Sequence, residues 1–344
     1  MVKEPTEDIK IPKNTINHVN TWNIQVDDQC DQYDQKIRQE IDLNFVHKNT
    51  MLLDLTKPTY SLIEKYVYDS AMFHFARLNI YDMENHFVEF WCKSRFDTHA
   101  LHLDCDEKLK KTSGKYEHPL LSCVTYLNDV PNSPTIITNV DLECYKFKDF
   151  EEQTEIVLSL PVRNKQITFD GHFYHGSTTL TEVDAGADTD RSDEHETDGR
   201  YILAINLWNK KPIDVEYYVP NENRIDMTGA MFQNDDRLIN ISATDTKIGS
   251  INVSNDIINY NLFNDILYNK KKKACYVFNE IIQKYRLDKN AENNIENITT
   301  FKFSLDDSIK EKQKHVELKN KYGDIMDDFK AIMDKTIDLK YNNR

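Results

Sequence analysis

His102 and Asp104 stand one residue apart in Ala100-Leu101-His102-Leu103-Asp104. On an extended chain, residues i and i+2 point to the same face, so this spacing presents an imidazole and a carboxylate side by side. A neutral imidazole from another strand would complete a two-histidine, one-carboxylate set, a ligand pattern that leaves open positions on non-haem Fe(II). The segment Phe169-Asp170-Gly171-His172-Phe173-Tyr174-His175-Gly176 supplies two such imidazoles, of which one suffices. A third segment, Gly199-Arg200-Tyr201-Ile202-Leu203-Ala204-Ile205-Asn206-Leu207-Trp208, is an apolar run that opens on a single guanidinium. Arg200 there serves either a salt bridge at the rim of a sheet or fork-like capture of a carboxylate. A His-x-Asp pair alone is weak. Asp106 and Glu107 also follow closely, but their spacing suits solvated acids better than ligands.

These residues need strands to hold them. Short apolar runs bounded by turn residues predict strands at 87–91, 100–104, 121–127, 135–140, 155–159, 166–170 and 200–208, without βαβ alternation, which implies a sandwich or jelly roll. Ahead of them, 51–55 reads as a strand. Pro58 suits the first turn of a helix carrying Leu62, Ile63, Tyr66, Val67 and Phe73 on an apolar stripe. Residues 1–40 read as a polar arm and 41–220 as the catalytic-type β domain. Residues 221–344 read as a largely helical extension, with helical periodicity at 257–268, 274–285 and 322–337.

The 344-residue chain carries a net charge of −15, which argues against duplex nucleic acid as partner, since phosphate contacts need clustered Lys and Arg. Nearly half of that charge lies in 181–199, where eight acids accompany one base in what reads as a loop between strands. No run approaches a membrane span, and the charged amino terminus lacks an apolar leader, so the expectation is an intracellular protein without a membrane partner. The six cysteines (30, 92, 105, 123, 144, 275) show no zinc-type pairing and read as reduced thiols, and the sequons at Asn240, Asn252 and Asn297 would go unused.

In their order, His102-Leu103-Asp104, then Tyr126-Leu127-Asn128 closing a strand, then Phe169 to His175, then Arg200 leading an apolar strand, resemble the Fe(II)/2-oxoglutarate dioxygenase superfamily, in its prolyl-hydroxylase-like branch. The resemblance covers roughly residues 85–210. It implies an α+β, mainly β fold: a double-stranded β-helix (jelly roll) with a supporting N-terminal helix. It also implies iron held by His102, Asp104 and His175, and the distal carboxylate of 2-oxoglutarate held by Arg200, with Tyr126 adding a hydroxyl. His175 is preferred to His172 because His-Gly closes the family's strand there. His172, like His99, His118 and His195, is expected to be an ordinary surface or turn histidine. The implied reactants are Fe(II), 2-oxoglutarate and O2, with ascorbate as a stimulant. The implied reaction is hydroxylation of a protein side chain, and the acidic 181–199 segment suits a basic peptide. Two readings compete with it: oxidation of a small molecule, and a catalytically silent β-helix that serves as a binding module. Nothing in the sequence speaks to oligomeric state.

Overall fold

In α2 (Leu62–Leu78) the buried residues Ile63, Tyr66, Val67, Ser70, Ala71, His74 and Phe75 recur at three- and four-residue spacing, so one face of the helix must be covered. Ser61 starts the helix: its hydroxyl accepts from the Glu64 N–H while the Glu64 carboxylate accepts from the Ser61 N–H, and Asn79 ends it at a φ of 54°. Pro58 therefore lies outside the first turn, in the approach to a two-residue strand β3 (Thr59–Tyr60), which pairs with β11 (Phe232–Gln233). A shorter helix α1 (Tyr33–Asn44) buries Tyr33, Ile37, Glu40 and Ile41, again one stripe. Glu40 reaches the α2 N-terminus, where it accepts from Ser61 Oγ at 3.0 Å and Ile63 N at 3.3 Å.

The computed structural model describes residues 19–26, 33–45, 50–80, 85–93, 102–130, 133–138, 155–177, 200–220, 231–244, 249–253 and 300–305. Both helices cover one face of a seven-stranded antiparallel sheet built from β1 (Asn20–Val26), β2 (Met51–Leu53), β4 (Phe87–Lys93), β5 (Leu121–Tyr126), β8 (Lys165–Phe169), β10 (Ile202–Trp208) and β12 (Ile239–Ala243). Its order is β12-β1-β8-β5-β10-β4-β2. A five-stranded sheet runs β13-β14-β7-β6-β9, from β6 (Thr135–Thr138), β7 (Glu155–Ser159), β9 (His175–Ser177), β13 (Gly249–Val253) and β14 (Thr300–Leu305). The protein is thus mainly β with a few helices. Among the described residues no helix is long and apolar enough to cross a membrane, and Cys92, Cys105 and Cys123 are free thiols.

The strands of the large sheet alternate cleanly. Leu203, Ile205 and Leu207 of β10, with Leu121 and Cys123 of β5, join the core shared with α1 and α2. Ile202 of β10, Val124 and Tyr126 of β5, and Ile167 and Phe169 of β8 face the other way and meet Ile137 of β6 and Val157 of β7. This second core lies between the two sheets, and every β10 residue is buried because both faces are covered.

Several expectations need correction. Residues 20–26, assigned to an arm, form an interior strand between β12 and β8, because Thr21 and Ile24 are buried while its neighbours supply both edges. Of the expected strand at 100–104 the described residues begin at His102, which forms an isolated bridge and is followed by irregular chain at 103–104. After residue 220 the described residues hold strands that the sequence did not mark: β12 pairs with β1 and β14 with β7. The helical segments expected at 257–268, 274–285 and 322–337, and the acidic segment 181–199, lie outside the described residues.

Candidate active site

His102 and His175 face each other across a single antiparallel bridge, His102 N donating to His175 O and His175 N to His102 O, each at 2.9 Å. Directly opposed residues share a face, which brings their rings to 4.4 Å between centroids. Asp104, two residues beyond His102, projects to the same place: Oδ1 lies 3.6 Å from His102 Nε2 and Oδ2 3.5 Å from His175 Nε2. One donor atom from each of the three residues lies within 4.8 Å of the others, a cluster that suits one metal ion.

The electrostatics of the cluster suit a divalent cation. Burial pushes His175 down to about 4, against the pull of Asp104, so at neutral pH the ring is uncharged. Its Nδ1 lies 3.1 Å from the Phe173 carbonyl and so carries the proton, which leaves the Nε2 lone pair toward Asp104. Burial opposes the charge on Asp104, but the pull of the imidazoles, which His175 exerts only once protonated, and the hydrogen bond from the Asn206 amide outweigh it and hold the carboxyl well below its ordinary range. A neutral imidazole and an ionised carboxylate are the forms that bind metal.

Arg200 is buried where β10 begins. Leu127 N donates to Tyr201 O at 3.0 Å and Tyr201 N to Asn128 Oδ1 at 2.9 Å, so Tyr126-Leu127-Asn128 anchors the backbone next to the guanidinium. Arg200 Nη2 donates to Thr135 Oγ1 at 2.6 Å, and its Cζ lies 5.6 Å from the Tyr126 ring centroid. The Tyr126 hydroxyl lies 2.8 Å from Thr135 Oγ1 and donates to the Ser159 carbonyl at 3.1 Å. Among the described residues Arg200 Nε is buried without a hydrogen-bond partner. Such an orphan costs about 1–3 kcal/mol, more for a charged group, so a buried oxyanion fits this place. Along β6, Ile137 pairs with His175 and Thr135 with Ser177, so the partner of Arg200 is two residues, roughly 7 Å, from the metal cluster. That separation is on the scale of a five-carbon dicarboxylate. Lys165, on the same face of β8, lies with Nζ 5.3 Å from the Tyr126 ring, and burial pushes it down to about 7.

The other candidates fall away from the cluster. His172 is an exposed turn residue bound to Asp170 Oδ1 at 2.7 Å. Asp106 caps α3 (Glu107–Ser113) by accepting from Leu109 N at 2.8 Å, and Glu107 pairs with Lys110 at 3.1 Å. His118 is closer to the site than a surface histidine should be: half-buried, its Nδ1 lies 2.7 Å from the Asp104 carbonyl. His99 and His195 lie outside the described residues. The sequence motifs leave Glu89, Asn206 and Thr135 without a role. Asn206 stands an even number of places after Arg200, so the two fall on one face of an extended chain, and a polar residue there inside an apolar strand is the signal that would have marked Asn206.

No family model and no curated protein matches the chain. Among solved structures it is similar to a Pseudomonas putida prolyl-4-hydroxylase, at 13% identity over 58% of this chain and 87% of that one, with a TM-score of 0.32. It is also similar to the viral collagen prolyl hydroxylase of Paramecium Bursaria Chlorella virus-1, at 12% identity over 60% of this chain and 97% of that one, TM-score 0.31. EvdO2 of Micromonospora carbonacea, solved with 2-oxoglutarate, aligns at 13% identity over 63% and 96%, TM-score 0.31. Overlap this loose carries no argument about the site, whose case rests on its own geometry.

Proposed function

We propose that the chain is an Fe(II)- and 2-oxoglutarate-dependent dioxygenase that hydroxylates a protein side chain, in the manner of a prolyl hydroxylase, on a double-stranded β-helix formed by its two facing sheets. The observation that carries this reading is the pairing of two features in one inter-sheet core: the His102, Asp104, His175 cluster and, roughly 7 Å along β6, a buried Arg200 with an unsatisfied donor. A metal cluster alone would suit many hydrolytic or structural sites. A metal cluster facing a buried guanidinium suits a ligand with a chelating end and a carboxylate end.

In this reading His102 Nε2, Asp104 and His175 Nε2 hold the iron, and Arg200 and Tyr126 orient the distal carboxylate of 2-oxoglutarate. When bound, iron and 2-oxoglutarate together supply O2 activation, with decarboxylation of the co-substrate to succinate. The chain's own part is orientation and exclusion of water. Val124, Ile167, Phe169 and Ile202 form apolar walls, and burial keeps His175 uncharged so that its lone pair stays available. The acidic 181–199 segment, next in sequence to Arg200, supports a basic peptide as substrate.

The test is succinate formation from 2-oxoglutarate, dependent on added Fe(II) and O2, with a peptide library screened by mass for a gain of one oxygen. His102→Ala, Asp104→Ala and His175→Ala are each expected to abolish iron binding and turnover, while His172→Ala keeps most of both. A normal iron content in His175→Ala would overturn the assignment.

A further inference from the structure

Glu89 of β4, Asn206 of β10 and Ser122 of β5 are direct cross-strand neighbours, in the pairs Asn206↔Glu89 and Asn206↔Ser122. The row continues to Phe169 of β8, which pairs with Ser122 and whose ring lies 4.8 Å from that of His175. Residues in register share a face, so this row lies under the metal cluster, and Glu89, Asn206 and Ser122 are all nine-tenths or more buried. Between this row and the Arg200, Tyr126 and Lys165 group that face is apolar: Val124, Ile167 and Ile202. Three buried polar residues in one row therefore need a purpose.

Hydrogen bonds from two of the three converge on one oxygen. Asn206 Nδ2 donates to Asp104 Oδ2 at 3.1 Å and Ser122 Oγ to the same Oδ2 at 3.3 Å. Asn206 Nδ2 also lies 3.5 Å from Glu89 Oε2, which accepts from Trp208 Nε1 at 2.9 Å. Because both groups facing the amide are carboxylates, only its NH2 end can point toward them. That fixes the Asn206 rotamer, and its Oδ1 is buried without a partner among the described residues.

We infer that this row makes Asp104 a one-oxygen ligand: Asn206 and Ser122 occupy Oδ2 and leave Oδ1 to the metal, while Glu89 holds the Asn206 amide in its donating orientation. The inference rests on the metal centre proposed above. A metal held by three single-atom ligands would keep open positions for a chelating co-substrate. A carboxylate free to turn and bind through both oxygens would take one of them. Asn206, Ser122 and Glu89 are thus positioning residues.

Mn(II) tests this without turnover, since it takes the same oxygen and nitrogen ligands and its coordinated waters are counted by water-proton relaxation. In the 2-oxoglutarate-free, Mn(II)-loaded full chain, Asn206→Ala is expected to lower Mn(II) affinity by about 10- to 100-fold. It should also remove one coordinated water, as Asp104 becomes bidentate. Glu89→Gln, whose amide can turn Asn206 around, should shift the water count in the same direction. Ser122→Ala, a deletion of one hydroxyl, carries the same test should Asn206→Ala not fold, and Ser122→Thr should restore the parent values. An unchanged water count in folded Asn206→Ala and Ser122→Ala, with affinity within twofold of the parent, would overturn the inference while leaving the metal centre standing. A parent chain that binds no Mn(II) or Fe(II) would instead overturn the metal centre, and the inference with it.

Discussion

Replacing Arg200 separates the co-substrate pocket from the metal. The guanidinium is only 5% exposed, gives Nη2 to Thr135 at 2.6 Å, and keeps Nε without a partner among the described residues. Burial lowers its pKa, yet an arginine in this setting stays charged. A hydrogen bond between charged groups contributes about 1.5–3 kcal/mol. Losing one such bond in Arg200→Ala should weaken 2-oxoglutarate binding by roughly 10- to 150-fold, and losing both prongs of the fork by more. Arg200→Lys keeps the charge but not the fork and should fall between Ala and the parent. The assay is anaerobic titration of the iron-loaded protein with 2-oxoglutarate, beside a competition measurement of metal affinity, which should stay within about twofold because Arg200 touches none of the three ligands. Equal 2-oxoglutarate affinity in Arg200→Ala and the parent would refute the reasoning. Arg200 would then be a structural cation against Tyr126, and Lys165, on the same ring, would be the next anchor to test.

Two further predictions concern stability. His74 is fully buried with Nε2 2.7 Å from Gln166 Oε1, and burial pushes it down to about 3. The unfolded chain therefore takes up its proton first, so the stability His74 contributes is whole above about pH 6.5 and is lost as pH falls toward 3, to a total of about 5 kcal/mol. Glu40, pushed up to about 7 by burial, acts in the opposite sense between about pH 7 and 4.5. The difference between the parent and His74→Gln isolates the histidine, and a difference in denaturant stability that stays flat from pH 7 to 5 would sink the argument. Gly171→Ala places a Cβ 2.1 Å from the Pro119 carbonyl oxygen, a backbone atom that cannot turn aside, and should destabilise by about 1–3 kcal/mol. A loss under about 0.5 kcal/mol in urea unfolding would show that the 170–172 turn yields freely.

Local spacing and residue type determined more of this protein than its low similarity to solved structures would indicate. The short apolar runs at 121–127, 166–170 and 200–208, bounded by turn residues, mark β5, β8 and β10, because run length and its punctuation are properties of neighbouring residues. His-x-Asp and the lone Arg200 were likewise legible in the sequence, each chemically distinctive against an apolar background, whereas the preference for His175 over His172 came from the family resemblance alone. The Ser61 cap was equally local, but Pro58, three residues earlier, drew the helix start toward itself.

Tertiary structure alone decided who faces whom. That His102 and His175 are opposed on one bridge, that 20–26 enters the large sheet between β8 and β12, and that β12 and β14 from beyond residue 220 complete the sheets are all matters of strand pairing. Register joins residues more than a hundred positions apart and leaves no local periodic trace. The same reason hid the row beneath the metal cluster. Glu89, Ser122 and Asn206 read singly as polar interruptions of three apolar strands, and only the register of β4, β10 and β5 sets them side by side under Asp104.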